Sequence, residues 1–138
     1  SWGGEDLMAD LGALAKGPSP GVYDDTFKLA RTVNLMASVA AGVTPYDTVY
    51  PDIRNIEGLR AEAHEARRMG YGGKIAIHPD QVAIIHEVFT PSAAEVAWAK
   101  RVVAAFEGNP GAGVLTMDGK MLDKPHLVLA RRLLSRAG

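Results

Sequence analysis

One short run limits the architecture more than any other: Lys74-Ile75-Ala76-Ile77. It follows Gly72-Gly73, ends at His78-Pro79 and does not alternate polar with apolar residues. Strands of that kind are buried on both faces, as parallel strands are. The helix that a parallel crossover needs lies just upstream. Asn55 caps a helix over 56–69, with Leu59, Ala63, Ala66 and Met69 on one face and Gly70 as its stop. Before it, Tyr46 to Asp52 reads as a strand closed by Pro51-Asp52.

The flanking elements keep the same order. Lys16 to Gly21 holds two prolines and two glycines and is a loop. A helix runs from Asp24 or Asp25 to Ala41, with acids at its start, Gly42 at its end, and Phe27, Ala30, Leu35, Ala37 and Ala41 as contacts. Pro79 suits the first turn of a helix that reaches Val88. Ser92 and Glu95 form a capping box that opens a helix to Glu107, which Asn109-Pro110-Gly111 breaks. Residues 114–117 and 120–122 flank Asp118-Gly119 as a hairpin, and Pro125 starts a last helix to Arg136. Alternating helices and strands indicate an α/β fold with a parallel sheet. Two clear strands and a stub cannot fill a sheet or close a barrel. The missing strands are expected outside these 138 residues or on partner chains.

Composition excludes several classes. Fifteen basic residues against 16 acidic ones leave no surplus for nucleic acid. The lack of cysteine rules out disulfides and thiolate metal sites and fits a cytoplasmic location. No apolar run approaches the roughly 20 residues that span a bilayer.

Three segments can carry chemistry. In Trp2-Gly3-Gly4-Glu5-Asp6, two glycines allow close backbone approach, and two acids follow. Carboxylate oxygens are what magnesium prefers, usually one or two of them. On a strand end the two acids point to opposite faces, so one of them reaches a shared site. A helix start, with acids favoured by its dipole, explains the pair equally well. His78-Pro79-Asp80-Gln81 follows a buried strand, where α/β folds place their sites. His78 could act there, or could simply bond a neighbouring backbone group. In the third segment Asp118 is a turn residue. Asp123 is either the cap of the last helix or a general acid or base on a C-terminal arm.

Taken in order, Trp2-Gly-Gly-Glu-Asp-Leu7, Asp52…Asn55…Glu57-Gly-Leu59, Gly70-Tyr-Gly-Gly-Lys74, Ile77-His-Pro-Asp-Gln81, Phe89-Thr-Pro-Ser92 and Gly119-Lys-Met-Leu-Asp123 resemble the C-terminal half of the citrate lyase β-subunit-like family, which includes malyl-CoA and citramalyl-CoA lyases. The resemblance covers essentially the whole chain. It implies the C-terminal part of a TIM (β/α)8 barrel: residues 1–12 as the end of strand six with its loop, 46–52 as strand seven and 74–78 as strand eight. Residues 1–90 would belong to the barrel and 91–138 to a helical extension or lid. It further implies a carbon–carbon lyase that uses Mg2+ or Mn2+ to split an acyl-CoA thioester into acetyl-CoA and a small 2-oxo acid. Asp6 would be a metal ligand, with Glu5 the weaker choice. Asp123 would be the catalytic acid or base, acting on a neighbouring subunit of a trimer or hexamer. His78 and Pro79 would lie near the substrate. The family's N-terminal half adds an arginine and a glutamate that have no counterpart here, so this segment alone is expected to be inactive. The alternative is a non-catalytic fragment or pseudo-enzyme scaffold of the same fold.

Overall fold

A parallel strand pair organises the first part of the chain. β1 (Tyr46–Asp47) and β2 (Gly73–Lys74) set Tyr46 beside Gly73 and Asp47 beside Lys74. Backbone bonds from Gly72 to Pro45 (2.8 Å) and from Ile75 to Asp47 (3.1 Å) continue the ladder at either end. The crossover is α3 (Ile56–Met69), preceded by α1 (Gly4–Leu11) and α2 (Asp25–Ala40) and followed by α4 (Pro79–Phe89). The computed structural model describes residues 1–137, which form two units, Ser1–Phe89 and Thr90 onward.

Local chemistry accounts for the boundaries. The Asn55 side chain accepts from Gly58 N–H at 2.9 Å, which caps α3. Gly70, at φ 113°, ends the helix in a left-handed conformation that β-carbons disfavour. The first unit has two apolar clusters. Trp2, Tyr23, Phe27, Ala66 and Tyr71 form one; Tyr50, Leu59, Ile84 and Ile85 form the other.

Four expectations need correction. Residues 4–11 are helix, so Glu5 and Asp6 stand in a first turn and not on a strand end. The strands expected over 46–52 and 74–77 shrink to two residues each. Ile75 and Ile77 are exposed, because among the described residues this run has a strand partner on one side only. Ala37 and Ala41 of the α2 region are also exposed, while Arg31 joins Phe27 on the buried face.

The second unit consists of α5 (Ala93–Glu107), β3 (Val114–Met117), β4 (Lys120–Asp123) and α6 (Lys124–Leu134). Ser92 and Glu95 exchange their capping bonds at 2.7 and 3.2 Å. The hairpin turns on Asp118 (φ 53°) and Gly119 (φ 74°), both positive as an Asp-Gly turn of the primed type requires. Arg101 Nη2 donates to both Asp118 oxygens, at 2.7 and 2.8 Å, which holds that carboxyl below its ordinary range. Ala99, Val102, Phe106, Leu122 and Ala130 form the core. α6 starts one residue before Pro125 and stops at Leu134, short of Arg136.

Candidate active site

The start of α1 is built from residues that supply little of their own. Gly3, its N-cap, has no side chain to satisfy the first N–H groups. Strand β1 and the residue after it provide the partners. Thr48 Oγ1 accepts from Gly4 N–H at 3.2 Å, and Asp47 Oδ1 accepts from Trp2 Nε1 at 2.9 Å. Trp2 also meets Tyr23 edge-on, with centroids 5.6 Å apart.

The helix separates the two acids by about 100° of rotation. Glu5 turns to Lys16 and forms an ion pair. Asp6 is exposed, and no described residue donates to its carboxylate. Its Oδ2 lies over Gly3 so closely that a β-carbon there would collide with it. A larger residue at position 3 would make that carboxylate turn aside. A hard, unpaired carboxylate at a helix start fits a magnesium ligand better than the lysine-paired Glu5 does. Among the described residues, no three histidine or acidic side chains converge into a complete metal site. Beside α1 lies a cleft of about 410 Å³, lined by Glu5, Met8, Lys16, Tyr23, Tyr50 and Glu62 among others.

Beneath this turn sits a buried charge network. Asp47 is 0% exposed. Its two oxygens accept from Arg31 Nε (3.1 Å), Arg31 Nη2 (2.9 Å), Lys74 Nζ (3.1 Å) and Trp2 Nε1. Burial alone would raise this carboxyl, but Lys74, Arg31 and Trp2 outweigh burial and hold it below the usual range. Four donors use its acceptor sites, so Asp47 has none left for a metal or a proton. Lys74 also reaches Glu62 at 2.5 Å, and Arg31 reaches Glu65 at 2.8 Å. Burial opposes the Arg31 charge, yet Asp47 and Glu65 push its pKa upward. Burial and then Glu62, which accepts from its hydroxyl at 3.1 Å, push the Tyr23 phenol upward.

Sequence reasoning missed this network. The signal was a lysine inside an apolar strand and a glutamate among Leu59, Ala63 and Ala66. Buried charges of this kind need partners.

His78 has a local duty. Its Nδ1 accepts from Asp80 N–H at 3.3 Å at the start of α4, and Pro79 beside it is exposed. Gln81, fully buried, does more for the fold. Its Oε1 accepts from Ile77 N–H and its Nε2 donates to the Tyr50 carbonyl, both at 2.9 Å. In the second unit Asp123 is the N-cap of α6, as the simplest expectation had it. Its Oδ1 is 2.6 Å from Nδ1 of His126, and its side chain is 34% exposed. The same nitrogen lies 3.3 Å from Asp123 N–H, so the tautomer of His126 selects which contact is a hydrogen bond.

A family model described as C–C bond lyases of the TIM-barrel fold matches residues 2–138. The chain belongs to the C–C bond lyases of the TIM-barrel fold. Among the curated lyase relatives is a citrate lyase subunit β-like protein of Mycobacterium tuberculosis, 38% identical over 137 residues (99% of this chain and 50% of that protein). The mitochondrial citramalyl-CoA lyase of Rattus norvegicus is 35% identical over 138 residues, covering 99% of this chain and 39% of the relative. A (3S)-malyl-CoA thioesterase of Cereibacter sphaeroides is 46% identical over 105 residues, 75% of this chain and 37% of the relative. Among solved lyase structures, CitE from Mycobacterium tuberculosis in complex with magnesium, acetoacetate and coenzyme A matches with a TM-score of 0.83 and 37% identity, covering 99% of this chain and 51% of that one. The chain thus spans about half the length, or less, of these relatives.

Proposed function

We propose that this chain is the C-terminal part of a Mg2+-dependent lyase that splits a 3-hydroxyacyl-CoA thioester, of the malyl-, citramalyl- or citryl-CoA type, into acetyl-CoA and a 2-oxo acid. The observation that carries this reading is Asp6: an exposed, unpaired carboxylate over a glycine, in a chain 37% identical to a protein crystallised with magnesium and coenzyme A. The numbering of its strands as six to eight of the barrel belongs to the same proposal.

Asp6 would hold the metal, with Glu5 the weaker donor because Lys16 engages it. Bound magnesium supplies Lewis-acid polarisation of the 2-oxo acid carbonyl. As the carbon–carbon bond breaks, the 3-hydroxyl gives its proton to solvent and becomes the 2-oxo carbonyl, and Asp123 protonates the α-carbon of the acetyl-CoA enolate; in the reverse direction it removes that proton. His126 orients that carboxylate. His78, with Nδ1 turned to Asp80 N–H, keeps Nε2–H as a donor toward substrate, next to Pro79. In this reading Asp123 would act on a neighbouring subunit, in a trimer or hexamer in the cytoplasm, and Mn2+ would serve as an alternative metal. Among the described residues no helix is long and apolar enough to cross a membrane.

The test uses the whole encoded protein with Mg2+ and a panel of malyl-, citramalyl- and citryl-CoA. Asp6→Ala is expected to lower Mg2+-dependent turnover at least about a hundredfold; unchanged metal dependence would overturn the assignment. Asp123→Asn is expected to bind metal and ligand and to lose turnover, and activity like the wild type would reduce Asp123 to a helix cap.

The relative named as a thioesterase favours a second reading, hydrolysis of the same class of thioester. Product analysis separates the two. A lyase yields acetyl-CoA and a 2-oxo acid, whereas a thioesterase yields free CoA and the hydroxy acid. No turnover on any member of the panel would favour the non-catalytic scaffold.

A further inference from the structure

The metal-binding turn does not hold itself in place. Gly3 and Gly4 are the most permissive residues a backbone can have, and α1 is only eight residues long. Yet Asp6 must be held in one place to serve as a ligand. Two side chains from one stretch grip this turn, each through a single bond. Asp47 accepts from the Trp2 indole, and Thr48 accepts from the first N–H of the helix. These two acceptors are adjacent in the chain, while their donors stand on either side of Gly3.

The grip is anchored. Asp47 is locked by Arg31 from α2 and Lys74 from β2, and those two reach Glu65 and Glu62 of α3. Tyr71 then donates to the Arg31 carbonyl at 2.7 Å. The position of the turn is thereby referred to both strands and two helices. An apolar contact could bury Trp2 equally well. What it could not do is fix the direction of the indole N–H, and with it the entry of the chain into α1.

We infer that Asp47 and Thr48 are positioning residues for the metal-binding carboxylate: the buried network under β1 sets where Asp6 stands, without touching metal or substrate. This inference rests on the reading of Asp6 as a ligand. It predicts that metal affinity depends on a threonine hydroxyl buried away from Asp6's solvent-exposed carboxylate and on an indole N–H, which has no lone pair to offer a metal.

The probe is Mn2+ binding to the whole encoded protein, followed by electron paramagnetic resonance, with melting temperature as the second readout. Thr48→Val keeps shape and removes the acceptor. It is expected to weaken Mn2+ about tenfold in protein that remains folded, and Thr48→Ser is expected to restore the wild-type affinity. Trp2→Phe, which removes only the N–H donor and part of the ring, is expected to weaken binding by a similar factor. Asp6→Ala is the reference. If Asp6→Ala binds Mn2+ like the wild type, the ligand assignment itself fails. If Asp6→Ala abolishes binding while folded Thr48→Val and Trp2→Phe stay within twofold of the wild type, the ligand assignment stands and the positioning role is overturned. Should Trp2→Phe not fold, the Thr48→Val and Thr48→Ser pair decides alone.

Discussion

The two units solve the problem of an interior in opposite ways. The first buries Arg31, Asp47, Glu62 and Lys74 beneath its aromatic cluster. The second buries alanine, valine, leucine and phenylalanine, and leaves its Arg101–Asp118 ion pair on the surface. Apolar packing is non-directional, so it tolerates small shifts. A carboxylate with four donors does not, because each bond has a length and an angle to keep. Buried charge is a poor source of stability but a strong source of definite geometry when every partner is present. The directional interior lies under the turn that carries Asp6, where definite geometry is useful.

Substitutions can break or sharpen this contrast. The largest effect is expected from Asp47→Ala, which strands two buried cations and should cost about 3–5 kcal/mol in urea unfolding of the whole encoded protein. Leu122→Ala in the second core should cost about 2–3 kcal/mol, the low end of the range for a leucine truncated in a core, because a small core can collapse around the cavity. Equal losses at the two positions would erase the distinction between the interiors.

Acid should find the same difference. The folded state holds the Asp47 carboxyl below its ordinary value. Its contribution is therefore complete above about pH 4 and is lost as pH falls through the lowered folded value, at no more than about 1.4 kcal/mol per pH unit. Asp47→Asn should flatten that limb of a melting-temperature profile; an unchanged limb would assign the acid response to other carboxylates. The smallest effect is expected from Ser92→Ala, about 1 kcal/mol from the α5 cap, measured by the same unfolding experiment.

What could be read in advance follows the range of the forces. Asn55, Gly70, the Ser92–Glu95 box and the Asp118-Gly119 turn act within four residues, and each stands where the sequence placed it. The parallel pairing of two strands across one helix was also legible, because a crossover allows few alternatives. Strand lengths were not. They depend on neighbours, and Ile75 and Ile77 lack a second one among the described residues. The helix over 4–11 stayed one of two readings for a related reason. Its acidic first turn suits a helix start, but the two glycines read as a turn unless one knows that Thr48, 44 residues away, accepts from Gly4. The bonds to Asp47 likewise join residues 16 to 45 positions apart, and local periodicity does not register such pairs. Asp6, Asp123 and His78 could be singled out as candidates, but the residues that hold the first of them in place could not.

Gln81 carries a consequence for motion. Beyond Ile75, the tie between the end of one strand segment and the other runs through a carboxamide on α4, not through backbone pairing. Deuterium uptake at the Ile77 amide should then report how often that helix lifts away, so a single peptide position becomes a gauge of breathing at the rim where substrate would enter.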